Sequence, residues 1–126
     1  MNRHLALIVE DDVELATIFA DILQTADMAA QVISDGQKAL DWLAKNVPDI
    51  VLLDMHLPHV SGRDILAAIR GDIRLTKTQV VIITADATLA SALGNRADLV
   101  LLKPVSLDQV MNLASRFLNN DNSITQ

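Results

Sequence analysis

The sequence predicts a doubly wound α/β sandwich, a parallel sheet covered by helices on both faces. Short runs that are apolar on both faces alternate with segments of helical period, and doubly apolar strands belong to parallel sheets covered on both sides. Right-handed crossovers between such strands leave the doubly wound arrangement. The 126 residues, about half of them apolar (51%), are enough for one domain with a real core.

The first strand is Leu5–Val9, which reads as buried. Val13–Ala26 carries Leu15, Ile18, Phe19, Ile22, Leu23 and Ala26 at helical spacing, with Asp11 or Asp12 placed to cap it. Ala30–Ser34 is a weaker strand, and Asp35-Gly36 marks a turn. A helix then runs to about Lys45 with Ala39, Leu40 and Leu43 inward, and Asn46–Asp49, with Pro48, ends it. Ile50–Asp54 is the third strand. Ser61 and Asp64 resemble a capping box before a helix that buries Ile65, Leu66 and Ile69. Val80–Thr84 is the fourth strand, followed by a short helix at about Ala87–Leu93. Leu99–Leu102 is the fifth. Ser106 and Gln109 form a better capping box, behind which Val110, Leu113, Ala114, Phe117 and Leu118 make a helical stripe. Residues 119–126 are polar and lack periodicity, so they read as a tail or the start of a linker.

Composition removes several classes of function. There is no cysteine, which excludes a disulfide framework and any thiolate site and suits a reducing cytoplasm. A formal charge of −6 disfavours direct binding to nucleic acid. No uncharged run approaches the roughly 20 residues that would span a bilayer. The basic, then apolar start meets acids rather than a small-residue cleavage site, so it does not read as a secretion signal.

The chemistry gathers at the strand ends. The first strand ends in Glu10-Asp11-Asp12, the third in Asp54, the fourth in Thr84 and the fifth in Lys103-Pro104. All are carboxyl ends, where open α/β sheets bind their ligands. The acids either cap the next helix or hold a divalent cation, and the residues alone leave both open. Carboxylates from Glu10, Asp11 and Asp54 with a nearby backbone carbonyl would suit Mg²⁺, or Mn²⁺. With Lys103 added, the set has the parts of phosphoryl transfer: a carboxylate nucleophile in Asp54, a cation site, and an ammonium for the transferred oxygens. The Thr84 hydroxyl can donate to a further oxygen, although alone it reads as a strand end or a cap. Lys103-Pro104 is also a place where a cis bond is cheap.

These pieces, in this order, resemble the receiver domain of two-component response regulators. They are Leu7-Ile8-Val9-Glu10-Asp11-Asp12, then Val51-Leu52-Leu53-Asp54-Met55-His56-Leu57-Pro58 with Gly62, then Ile82-Ile83-Thr84-Ala85, then Leu101-Leu102-Lys103-Pro104. The resemblance covers about residues 4–118. It implies a flavodoxin-like sheet in the order 2-1-3-4-5 and a receiver domain over residues 1–118. It implies Asp54 as phosphoacceptor, Glu10 and Asp11 as metal-binding acids, and His56 as a metal ligand through its backbone carbonyl. Thr84 and Lys103 would contact the phosphoryl group. The implied donor is a phosphohistidine of a sensor histidine kinase or phosphotransfer protein, and the implied output is a partner or effector domain. Such a domain acts enzymatically only on itself, in the cytoplasm.

The sequence departs from the family at one face. An aromatic residue usually stands three positions before the lysine, and here it is Val100. The stretch from Thr84 to Lys103 is about one helical turn short, and Val105 replaces a frequent phenylalanine. Backbone movement, or another output route, must then carry the signal. His56 and Asp86, each two residues past a key position, are either solvated loop residues or the rim that tunes phosphoryl lifetime. His4 and His59 lack partners at metal-ligand spacing and read as surface. Rival functions stay in view. A receiver-like interaction module would need no phosphate. A haloacid dehalogenase-type phosphatase would want an aspartate where His56 stands. A nucleotide-binding domain would want glycines, not three acids, after the first strand.

Overall fold

A computed structural model describes the backbone of residues 4–124 and the side chains of residues 4–116. Five parallel strands, β1 (His4–Val9), β2 (Met28–Ile33), β3 (Ile50–Asp54), β4 (Gln79–Thr84) and β5 (Leu99–Leu102), lie in the order β2-β1-β3-β4-β5. The helices between them are α1 (Val13–Thr25), α2 (Gly36–Leu43), α3 (Gly62–Arg70), α4 (Ala87–Leu93) and α5 (Leu107–Ile124). The doubly wound sandwich and its expected strand order are what the chain adopts.

Two apolar clusters sandwich the sheet. One joins α1 and α5 to Ala6, Ile8, Leu52, Val81 and Ile83; the other joins α2 and α3 to Leu7, Val9, Leu53, Val80 and Ile82. Alternate residues of one strand therefore feed opposite clusters, which is why the central strands are apolar throughout. Phe19 is the largest fully buried side chain, and burying a residue of that kind contributes about 1.5–3 kcal/mol.

Every helix start is capped, including those at Asp35 and Asp86, where the sequence marks only a turn and a loop residue. Asp12, Asp35, Ser61 and Asp86 cap α1, α2, α3 and α4 through their side chains. Ser106 and Gln109 exchange bonds across the first turn of α5 as a capping box.

Some expectations are corrected. Ile18 is exposed, not part of the buried stripe: α1 buries Ala16, Phe19 and Leu23, and the stripe is narrower because α1 covers only the sheet margin and α5. β2 starts at Met28, two residues early, since its ladder with β1 begins at the His4–Met28 pair. A single 3₁₀ turn, Ile73–Leu75, precedes β4, where no local signal announces it. α5 runs on to Ile124, past the expected end at 118. Positions 107–124 hold neither Gly nor Pro, and Asn, Asp and Ser each weaken a helix only by tenths of a kcal/mol, on the order of 0.5. The expected inward packing of Phe117 and Leu118 lies outside the described side chains. Among the described residues, no helix is long and apolar enough to cross a membrane.

Candidate functional site

Register brings the charged ends together. Val9 pairs with Leu53, Asp54 with Ile83, and Thr84 with Leu102, so the carboxyl ends of four adjacent strands stop at one level. Two backbone bonds just beyond the ladder fix the loops there. Lys103 N–H donates to the Thr84 carbonyl at 2.8 Å, and Met55 N–H to the Ile83 carbonyl at 3.2 Å.

The three acids divide their tasks. Asp12 turns away to cap α1, accepting from Leu15 N–H at 3.2 Å. Asp11 is exposed, whereas Glu10 and Asp54 are buried. Carboxylate oxygens of Glu10, Asp11 and Asp54 come within 4.8 Å of one another. Lys103 Nζ stands 3.3 Å from Glu10 Oε1 and 3.6 Å from Asp54 Oδ2. Glu10 Oε2 accepts from Asp12 N–H at 3.2 Å, and Asp54 Oδ1 from His56 N–H at 3.1 Å. Glu10 Oε1 is buried with no hydrogen-bond donor in good geometry, although Lys103 is near enough to act as its counter-charge.

That arrangement tests a cation site favourably. Three carboxylates against one ammonium leave a twofold negative charge, which matches a divalent ion. An all-oxygen donor set suits Mg²⁺ or Mn²⁺. The buried Glu10 Oε1, which accepts no hydrogen bond, retains lone pairs that a cation could use.

Thr84 is fully buried. Its Oγ1 accepts from Asp86 N–H at 3.1 Å, which leaves the hydroxyl proton free for another acceptor. The Lys103-Pro104 bond is cis. Gly62 sits beneath the end of β3: a Cβ there would lie 2.6 Å from the Asp54 carbonyl oxygen, so only glycine permits this approach.

Residues 6–115 match the family described as the response regulator receiver domain. The chain belongs to that family. DNA-binding response regulator MtrA of Mycobacterium tuberculosis is 30% identical over 120 residues, covering 94% of this chain and 53% of its own. Transcriptional regulatory protein BaeR of Escherichia coli is 34% identical over 115 residues, covering 87% of this chain and 46% of its own. The receiver therefore spans about half the length of the curated relatives it matches. In fold it is similar to chemotaxis response regulator CheY4 of Vibrio cholerae, with a TM-score of 0.80 at 21% identity over 92% of this chain and 99% of that one. It is equally similar to the receiver domain of Francisella response regulator 1452, with a TM-score of 0.80 at 24% identity over 95% and 99%.

Around the acid pocket, this receiver carries residues whose sequence signals are weaker. His56 and Asp86 line one shallow groove between the loop after β3 and α4, together with Arg63 and Thr88. Asp86 also spends one oxygen on capping α4, at 3.1 Å from Leu89 N–H. Arg63 escapes sequence reasoning, because an exposed arginine in a first helical turn carries no motif. His4 and His59, read as surface residues, each lie near one aspartate. His59 Nδ1 lies 2.9 Å from Asp35 Oδ2, and His4 Nδ1 lies 3.7 Å from Asp49 Oδ2. Long-range pairs of this kind depend on chain crossings that spacing cannot reveal. Val100 pairs with Ile82 and packs half-buried in the cluster that includes Leu89, Leu93 and Ala97.

Glu10 gives the receiver a pH signature. Burial, and then the neighbouring Asp54 carboxyl, push it up from 4.5 to about 7. Between those values the folded state holds a proton that the unfolded chain has released. The contribution of Glu10 to stability without metal is therefore full below about pH 4.5, is lost as pH rises to about 7, and is flat above. Asp35 is lowered, chiefly by the Lys38 amide, and Asp72 by Arg74. Their contributions are lost only as pH falls below the ordinary aspartate value, outside this window. Urea unfolding of metal-free protein checks this. Glu10→Gln should flatten the profile between pH 4.5 and 7, and parallel profiles for the two proteins would refute the assignment.

Proposed function

We propose that this receiver domain accepts a phosphoryl group on Asp54 from the phosphohistidine of a sensor histidine kinase or phosphotransfer protein, and later hydrolyses it. The observation that carries the reading is the buried Glu10–Asp54 pair, with Asp11 closing the acid triad and Lys103 set against both buried carboxylates. In the transfer, a carboxylate oxygen of Asp54 attacks phosphorus, the bond from phosphorus to imidazole nitrogen breaks, and the electron pair stays on the imidazole. Lys103 then pairs with a phosphoryl oxygen rather than with Asp54, and the free Thr84 hydroxyl proton donates to another.

Glu10, Asp11, Asp54 and the His56 backbone carbonyl are the groups that would hold Mg²⁺ or Mn²⁺. The ion, when bound, would neutralise charge shared by acceptor and phosphoryl group. The domain is assigned to residues 1–118, with 119–126 as a tail or the start of a linker. A cytoplasmic site of action accords with the donor chemistry. Its output is a partner or effector domain, reached by backbone movement near Val100, because a valine has no ring to swing between two rotamers.

Incubation with acetyl phosphate and Mg²⁺, for wild type and Asp54→Asn, tests the central claim. His56 and Asp86 supply a second test. Both side chains line the groove beside the loop that follows Asp54, where they could admit or exclude a hydrolytic water. Replacing both with alanine is expected to change the dephosphorylation rate by about tenfold, less than the roughly 10²–10⁴-fold contributed by a group that transfers the proton itself. Decay of the labelled protein measures it, and an unchanged rate would dismiss the pair as solvated loop residues.

A further inference from the structure

Residues 55–60 connect the acceptor strand to α3. The start of this loop is held by backbone bonds, Met55 N–H to the Ile83 carbonyl and His56 N–H to Asp54 Oδ1. Its far end is held differently. His59 adopts φ +69°, a left-handed conformation that few residues other than glycine take. Glycine would turn the chain there without steric cost, so the imidazole needs a reason of its own.

The structure supplies one. His59 Nδ1 lies 2.9 Å from Asp35 Oδ2, and among the described residues this is the only side-chain hydrogen bond made by residues 55–60. Asp35 is itself immobilised: its other oxygen, Oδ1, caps α2 by accepting from Gln37 N–H at 2.7 Å and Lys38 N–H at 3.2 Å. The next residue, Gly36, lies so close beneath Val60 that a Cβ would overlap the Val60 carbonyl oxygen. Two consecutive residues at the start of α2 thus grip two consecutive residues of the loop.

We propose that Asp35 and His59 are positioning residues, whose hydrogen bond clamps the 55–60 loop to the start of α2 and so holds the His56 backbone against Asp54. Neither side chain touches the reacting atoms. The purpose of the clamp rests on the reading of Asp54 as phosphoacceptor, but its mechanics can be measured separately.

Three variants separate the clamp from general destabilisation. His59→Gly keeps the left-handed turn and removes the bond. His59→Asn tolerates the turn and puts an amide nitrogen where Nδ1 stood. Asp35→Ser keeps a good helix cap and cannot reach position 59. The readouts are Mg²⁺ affinity by calorimetry and hydrogen-exchange protection of the His56 amide, with melting temperature recorded alongside. His59→Gly and Asp35→Ser should each lower both readouts by about threefold to tenfold, His59→Asn should restore them, and the double variant should be no worse than either single one. Unchanged readouts in the single variants, or losses that multiply in the double variant, would overturn the clamp. If the variants couple as expected but wild type takes up no phosphoryl group from acetyl phosphate, the phosphoacceptor reading fails instead, and with it the purpose assigned to the clamp.

Discussion

Asp54→Asn is expected to lose phosphoryl incorporation by at least about 10³-fold while folding as well as wild type or better. An amide has no anionic oxygen to attack phosphorus, so the chemistry stops at its first step. The substitution is nearly isosteric, and the amide oxygen can still accept from His56 N–H as Oδ1 does at 3.1 Å. Meanwhile the neighbouring charges improve. Glu10 and Asp54 are both buried and share a single lysine at 3.3 and 3.6 Å. Removing one negative charge leaves Glu10 and Lys103 as a matched pair, and relieves the repulsion that helps to raise Glu10. The expected signature is therefore a dead acceptor with a metal-free melting temperature equal to or above that of wild type. Mass spectrometry after incubation with acetyl phosphate and Mg²⁺, beside a thermal melt, reads both. Labelling that survives the substitution would overturn the mechanism, and a large fall in melting temperature would contradict the charge argument.

The architecture was legible in the sequence because its signals are local and repeated. The doubly apolar runs at Leu5–Val9 and Ile50–Leu53 can only be central strands of a covered sheet, and each helix start carries its own capping residue. The site was legible for a related reason. In a parallel sheet the carboxyl ends of adjacent strands meet at one level, so Asp54, Thr84 and Lys103 could be placed together before any distance was known. The features that stayed hidden depend on geometry between elements. Ile18 has the right spacing for the core, yet faces out because α1 lies at the margin of the sheet. The three acids after β1 look equivalent in sequence, and only the turn into α1 shows Asp12 spent as a cap, Asp11 exposed and Glu10 turned inward. The His59–Asp35 pair spans 24 residues, with α2 and β3 between its members, and no motif announces it.

Lys103→Met should move metal binding and phosphoryl transfer in opposite directions. Methionine keeps the apolar stem, so packing changes little and the loss is one charge. Without it, Glu10 and Asp54 stay buried with no cation, and an uncompensated buried charge costs roughly 3–5 kcal/mol unless a proton is taken up. Metal-free protein should therefore be less stable than wild type at neutral pH and recover as pH falls, because protonation replaces the missing lysine. The same excess of negative charge favours a divalent ion, so Mg²⁺ affinity should hold or rise. Transfer should nevertheless slow by about 10²–10³-fold, since no ammonium remains to take up charge on the phosphoryl oxygens, and a fixed donor of that kind is worth this much in a water-poor site. Calorimetric titration with Mg²⁺ and time courses with acetyl phosphate separate the two effects. A lysine that merely braces the fold would give weaker Mg²⁺ binding and slower labelling in proportion. A lysine outside the chemistry would leave the labelling rate at the wild-type value. Only a split, with binding kept and transfer lost, assigns Lys103 to the phosphoryl group.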